Sequence, residues 1–514
     1  MEPTDLPSPL APPLAPPPPG GPPPPGGPPI AEWAGMPQPA LRLPGTSWLA
    51  VRSRADLRLV VAAVVTGVCV DLAAHNGPAT IATSVAIASF AVGLLLSRRL
   101  RGRAGVLLIS AAAVFGLAFT IRASPWVTVP VAFAVVFLLL LGPSLGADGG
   151  GLPETFPALA TRIGIVVLNL YLAPGMFHYR GESADSLRAR KLGLGILRGV
   201  ALGVPVLLIT GLLLGSADPI FRSWFNPGLV LQHLVLVAGG AWLMVGLARA
   251  ASAERPLPEL PQAPKLGTLE VAIVLGGLSA LYAAFVAAQF VALSGAGHRI
   301  LVTHGLTYAE YARSGFFRLL ACAAITLLVL LGVRGFANSA ERVIVVLSVL
   351  TAVLTLGVVV VAFRRLQLYE AVFGLTMLRL ACFAVAVWIG LVFVLFALTF
   401  VPRGLAATRF PAAFIVSALV LVAVWASANP AAIVAQTNLR RAEHGRSLDY
   451  LQVVSLGPDA VPAIFAALPG LPHREAAVLR PMICGSRSRS GAGTSFDLDR
   501  FLAGRVLDNH CHVR

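Results

Sequence analysis

Residues 342–362, RVIVVLSVLTAVLTLGVVVVA, decide the class of fold. One arginine opens the run, and none of the residues after it is charged or a proline. A bilayer core ~30 Å thick needs about 20 mostly apolar residues of helix to cross it, and this run meets that length. The same ruler finds ten further runs, at 57–74, 78–96, 104–121, 125–142, 192–215, 229–248, 268–291, 316–333, 378–400 and 411–428. The sequence therefore reads as an all-α, polytopic transmembrane helical bundle of eleven spans. A twelfth run, 163–177 (IGIVVLNLYLAPGMF), is short and ends at Pro174-Gly175. Its length suits a span, a re-entrant piece or an interfacial helix equally.

Composition agrees with lipid as the main solvent. Of 514 residues 57% are hydrophobic and 12% charged, with a mean hydropathy of +0.81. Soluble domains carry roughly 25% charged residues, about twice that share. The net charge of +16 comes almost wholly from arginine, because Lys191 and Lys265 are the only lysines. Abundant Ala, Gly, Pro and Arg point to a high-GC bacterial genome. The arginines cluster in short loops between apolar runs, as topological anchors do, so no nucleic-acid partner is expected; the expected partner is the lipid bilayer.

Those loops also orient the chain. With eleven spans and a cytoplasmic N-terminus, the inner segments hold 20 Lys and Arg and the outer ones six, namely Arg122, Arg222, Arg299, Arg313, Arg364 and Arg365. Positive charge on short loops resists translocation, so the expectation is a multi-pass protein of the bacterial cell membrane, N-terminus inside and C-terminus outside. Treating 163–177 as a full span reverses every later loop and weakens the asymmetry.

Two flanking regions differ from the span-bearing part, 47–428. Residues 1–46 hold 18 of the 40 prolines, lack apolar side chains to bury, and read as a disordered tail with polyproline II character. Residues 429–514 read as a small soluble helical tail. Asn429-Pro430 supplies an N-cap and a first-turn proline for AAIVAQTNLRRAEH, and Gly445 supplies the stop. Ser447 is placed to cap LDYLQVVSL and Asp459 to cap AVPAIFAAL. Cys69, Cys322 and Cys382 lie in apolar runs as small core residues, while Cys484 and Cys511 are too few and too far apart to announce a disulfide framework.

Signatures of nucleotide hydrolases and zinc proteases are missing from the sequence: it has no GxxxxGK[ST] or HExxH. No catalytic, cofactor-binding or metal-ligating set is read from it, and no cofactor is expected. Gly195, Gly199 and Gly203 fall at four-residue spacing, which suits close helix packing. Asp71 and His75 end the first span and Glu270 begins another, all near enough to an interface to stay wet.

The candidate polar site is Asp218, Glu310, Arg313 and Arg318. In THGLTYAEYARSGFFRLL (303–320), Thr307 and Glu310 fit a capping box, and Glu310 and Arg313 pair at three-residue spacing. Arg318 lies about a turn inside the membrane, where a charge needs an acidic partner or a polar cavity. Asp218, in SADPIFRSWFNP (216–227), caps a short helix or faces Arg313 or Arg318 across the outer vestibule.

SADPIF, YAEYARSGFF and the tail pattern NP--I---N--RA…LDY---LGPDAVPA together resemble a bacterial polytopic family catalogued as a domain of unknown function, four-one-seven-three type, related to four-one-five-three. The resemblance covers about 190–470 and implies membrane topology, with no activity attached. TSFDLDRFLAGRVL is similar to that family's closing helix, although Ser495-Phe496-Asp497 departs from its tryptophan-bearing start. The leading functional reading is a non-enzymatic envelope scaffold or sensor whose outer tail binds an envelope protein. The alternatives are a transporter or flippase-like protein using the outer polar site, and a membrane enzyme acting on lipid-linked substrates.

Overall fold

A computed structural model of the chain describes residues 56–148, 155–173, 227–252, 266–293, 308–337, 341–401, 404–485 and 493–511, with a few isolated positions between them. The helices that build the bundle are α1 (Leu57–Asn76), α2 (Ile81–Leu96), α3 (Arg103–Gly116), α4 (Ala118–Ile121), α5 (Pro125–Asp148) and α6 (Phe156–Tyr171). They are followed by α7 (Pro227–Ala251), α8 (Thr268–Leu293), α9 (Tyr308–Phe336), α10 (Arg342–Phe373), α11 (Met377–Leu398) and α12 (Phe410–Ser427). The tail adds α13 (Pro430–Glu443), α14 (Tyr450–Ser455), α15 (Val461–Ala467), α16 (His473–Gly485) and α17 (Leu498–His510). Among the described residues there is no β-strand, and nine helical stretches are long and apolar enough to cross a membrane. The chain is an all-α multi-pass membrane protein.

The polar contacts at the helix ends sort the loops onto two faces. On one face the tail meets the loop after α1, through the bond from Ile81 N–H to the Phe496 carbonyl, and the loop before α5, where Asp459 accepts from Ala123 and Ser124. It also meets the α10–α11 turn, where Asn438 bonds Leu375. On the opposite face Arg99 reaches Asp56 and Ser252, Arg101 N–H bonds the Gly146 carbonyl, and Arg334 donates to Thr399. Alternate loops thus fall on alternate faces. α2, at 16 residues, still runs from the tail face to the opposite one.

The same assignment of faces bears on the short run at 163–177. α5 ends on the face opposite the tail, whereas α7 begins on the tail face, because His233 in its second turn bonds Asp71 near the end of α1. α6 keeps to one half of the bundle. Its start packs Phe156 against Phe410 and Phe414. Its end places Leu170 against Gly246 and Trp242, about 8–14 Å from the end of α7 at 1.5 Å per residue.

Two apolar cores hold the bundle. Leu59, Leu94, Ile109 and Met244 centre the first, and Leu275, Leu330, Phe393 and Phe396 the second. α12 touches both sides, Phe410 packing into the second core and Ile415 against Leu141 and Leu145 of α5. Lipid tails are as apolar as leucine, so close packing and interhelical hydrogen bonds rather than the hydrophobic effect hold such helices together. A Cβ on Gly67 would lie 2.3 Å from the Val237 carbonyl oxygen, and one on Gly105 2.5 Å from the Gly146 backbone. The glycines at 195, 199 and 203, expected to be the packing face, have no described atom within 4 Å of an added Cβ. Among the described residues the close approaches of glycine to glycine fall at Gly67 with Gly240, between α1 and α7, and at Gly105 against Gly142 and Gly146, between α3 and α5.

Buried hydroxyl pairs stitch the second half. Ser279 and Thr351 lie 2.8 Å apart, and Tyr282 and Thr326 2.6 Å apart. Thr351→Val is expected to cost about 0.6 kcal/mol, the mean for such pairs in bilayers, and to show no further loss when Ser279→Ala is added. A double-mutant cycle of thermal stability in detergent checks this.

The tail forms its own core from Val434, Leu439, Ile464, Leu479 and Leu507, closed onto Leu375 and Met377 of the bundle. Its first helix matches expectation: Asn429 caps α13 by accepting from Ala432 N–H, Pro430 follows, and Gly445 sits at φ +77° beyond the end. Other expectations are corrected. Asp449, not Ser447, caps α14 by accepting from Gln452 N–H, because the helix starts later than the apolar pattern suggests. The Asp459 carboxylate serves the loop before α5 rather than its own helix. Cys484 and Cys511 form a disulfide, which joins the ends of α16 and α17. Their 27-residue separation hid the pairing, since the fold brings the two Cα atoms to 5.7 Å.

Candidate functional site

The polar site read from the sequence is not assembled by the described residues. Asp218 lies outside them, and so do Thr307 and Arg198. Glu310 and Arg313 fall in the opening turns of α9, which begins at Tyr308. Arg318 is exposed on the same helix, and the expected Asp218–Arg318 pair lies outside the described residues through its aspartate. Glu270 is exposed, as expected of an interfacial residue.

Two other clusters do form, both at the tail face. The first is the seam between tail and bundle. Arg122, between α4 and α5, donates to the carbonyls of Ala426 and Ser427 at 3.0 and 3.1 Å and to Asp499 at 3.2 Å. Asp459 accepts from Ala123 and Ser124 at 3.1 and 3.2 Å, so its charge sits at the N-terminus of α5, where the helix dipole favours an anion. Asp497 caps α17 by accepting from Arg500 N–H and is fully buried. Asp459 and Asp499 therefore share Arg122, while Asp497 lies beside Arg500. Burial raises all three above the usual carboxylate range, and Asp499, which also feels Asp459, is pushed up to about 7.

Beside this seam, Asn438 of α13 acts as a two-way clamp. Its side-chain oxygen accepts from Leu375 N–H at 2.9 Å, and its nitrogen donates to the Leu375 carbonyl at 2.7 Å. Gln452 adds a second bond to that carbonyl. Arg441 reaches the last carbonyls of α10, an arrangement favoured at a helix C-terminus. A cavity of about 440 Å³, lined by Trp126, Thr376, Gln452 and Ser455, lies under the tail. An apolar groove of about 460 Å³ between α5, α11 and α12 shares Pro125 and Trp126 with it.

The second cluster lies near the tail-face ends of α1 and α7. Asp71 and His75, four residues apart, share one face of α1. His233 enters from α7, and its Nδ1 lies 2.7 and 2.8 Å from the two Asp71 carboxylate oxygens. The His75 Nδ1 donates to the Asp71 carbonyl at 2.8 Å and lies 3.4 Å from the carboxylate. The two imidazoles stack with centroids 4.1 Å apart. Asp71 was expected to stay wet, but it is only 9% exposed, because α7 covers the face that the sequence leaves open. His233 carried no signal of its own within LVLQHLVLV; only the pairing of α1 with α7 gives it a role.

Neither cluster contains a nucleophile activated by a base. The first fixes the tail to the bundle, and the second joins α1 to α7 through one carboxylate and two imidazoles.

A family model described as a domain of unknown function (DUF4153) matches residues 109–467. No curated protein and no solved structure matches the chain. The matched span takes in Arg122, His233, Asn438 and Asp459, and leaves Asp71, His75 and Asp499 outside it.

Proposed function

This chain belongs to the DUF4153 family, a domain of unknown function, and on that premise we propose that it is a non-enzymatic scaffold or sensor of the bacterial envelope. Its folded tail stands outside the cell membrane and presents a surface to an envelope protein. The observation that carries the reading is the tail itself: a helical unit closed by Cys484–Cys511 and held on one face of the bundle by buried polar contacts. A mere chain end needs neither a core nor a fixed seat, whereas a platform needs both. Disulfides persist in oxidising compartments and are rare in the cytosol, which supports an extracytoplasmic tail in the same sense as the arginine asymmetry.

Labelling in intact cells tests the orientation. A membrane-impermeant maleimide is expected to modify Cys484 and Cys511 only after reduction by an impermeant phosphine. Modification that requires permeabilised cells and no reductant would reverse the orientation and remove the envelope partner from consideration. A photo-crosslinker at exposed Leu451 of α14 then asks for the partner.

The apolar groove, which shares Pro125 and Trp126 with the cavity under the tail, favours a second reading, in which the protein handles a lipid-linked molecule. Its chain would lie along Val129, Val385 and Leu421, and its headgroup beside Thr376 and Gln452. Reconstituted protein that retains a polyprenyl- or acyl-linked molecule through purification, and loses it on Ala384→Trp, would raise this reading above the first.

A further inference from the structure

We infer that Asp71, His75 and His233 form a binding site for one first-row transition dication, Zn²⁺ being the probe of choice. Three lines of geometry converge on it. The donor set comes first: two imidazoles and a carboxylate offer ligand atoms that all lie within 4.8 Å of one another. Three protein ligands of this kind leave a fourth tetrahedral position for water. His233 and His75 keep 48% and 28% of their side chains exposed, so that position opens to the aqueous phase at the membrane boundary.

The spacing comes second. Metal–ligand bonds of ~2.0–2.1 Å in a tetrahedron put neighbouring donor atoms about 3.3 Å apart. His233 Nδ1 stands 2.7 Å from the nearer Asp71 oxygen, and the ligand atoms of all three residues lie within 4.8 Å of one another. Replacing the proton between His233 and Asp71 by an ion widens that gap by about 0.6 Å, within the reach of side-chain rotation.

The supporting shell comes third. A carbonyl oxygen only accepts, so the His75 nitrogen bonded to the Asp71 carbonyl carries the hydrogen, and the other ring nitrogen presents its lone pair. Ligating histidines are commonly oriented by such a bond. Asp71 is buried in a bilayer-facing helix pair, where an ionised carboxylate is costly without a cationic partner. The adjacent Asn76 accepts from Thr494 and Ser495 of the tail, so an ion that stiffens this end of α1 also stiffens the seat of α17.

The experiment uses the full chain purified in detergent, stripped with EDTA and passed through gel filtration. Titration with ZnCl₂ is expected to show one equivalent bound with micromolar or tighter Kd and a melting temperature raised by several degrees. Co²⁺ in its place is expected to give the visible absorption of a four-coordinate ion. His233→Asn and His75→Asn put a hydrogen-bonding side-chain amide in place of each imidazole and remove a ligand, and Asp71→Asn removes the charge. Each variant is expected to weaken Zn²⁺ binding at least about tenfold while remaining folded by gel filtration. Absence of zinc uptake by the wild-type protein overturns the inference. So does uptake that all three variants retain, which would place the ion elsewhere. A stability loss in the variants without any zinc-dependent shift in the wild type would mean that the cluster is a hydrogen-bonded helix contact alone.

Discussion

Gly67→Leu is expected to abolish the folded bundle. The Cβ it introduces would stand 2.3 Å from the carbonyl oxygen of Val237 and 3.1 Å from its carbon, and backbone of a neighbouring helix cannot rotate aside as a side chain does. α1 and α7 would have to part by more than an ångström along the seam that also carries Gly240, where an added Cβ would lie 2.9 Å from the Gly67 Cα. Overpacking typically costs about 1–3 kcal/mol where side chains can yield. A backbone clash at the principal helix contact exceeds that, and bilayer helices have no hydrophobic surplus to offset it. The measurement is the yield of monodisperse protein on fluorescence-detected gel filtration, compared with Gly277→Leu. Gly277 is exposed on α8 with nothing within 4 Å of an added Cβ, so its substitution is expected to be silent. Equal yields from the two variants would refute the α1–α7 packing.

The second large effect is on the seating of the tail, and it depends on pH. Asp499 is raised from an ordinary value near 3.8 to about 7, chiefly by burial and next by the charge of Asp459. A carboxylate raised on docking holds its proton longer in the docked form, so docking binds protons between about 4 and 7. Seating is therefore strongest below about pH 4, weakens as pH rises toward 7, and is level above it. Every tenfold gain in proton affinity on docking corresponds to about 1.4 kcal/mol, an upper bound because three acids and Arg122 share the site. Hydrogen exchange of α17 amides, corrected for the intrinsic pH dependence, is expected to show more protection at about pH 5 than at about pH 8. Asp499→Asn should flatten that difference, since the neutral amide can still accept from Arg122. Arg122→Leu should reduce protection most at the higher pH, where the acids lose their close cation, and least at the lower one. Greater wild-type protection at the higher pH than at the lower would contradict the assignment.

Much of the architecture was legible because it follows from local rules. Span length is set by the bilayer, so the run 378–400 became α11 with little adjustment, whereas 342–362 became the 32-residue α10, which takes in Arg364 and Arg365, expected in an outer loop. Asn429-Pro430 and Gly445 bounded α13 because capping and left-handed glycine are local chemistry. The candidate polar site lies partly outside the described residues, through Asp218. It was chosen for charges close in sequence, Glu310, Arg313 and Arg318, and for Asp218 at a distance that sequence could not measure. The clusters that formed join residues 162 and 377 positions apart, His233 with Asp71 and Asp499 with Arg122.

Sequence by itself determined that the chain is a helical membrane protein and where most of the described apolar helices lie. Each of these depends on the length or polarity of one contiguous segment against a fixed solvent boundary. Tertiary structure alone decided that Asp459 caps a helix of the bundle, that Cys484 meets Cys511, and that an aspartate and two histidines converge at the membrane boundary. Apolar helices are nearly interchangeable as packing partners, so which two face each other is settled by small residues and hydrogen bonds scattered along both, and no single segment carries that information.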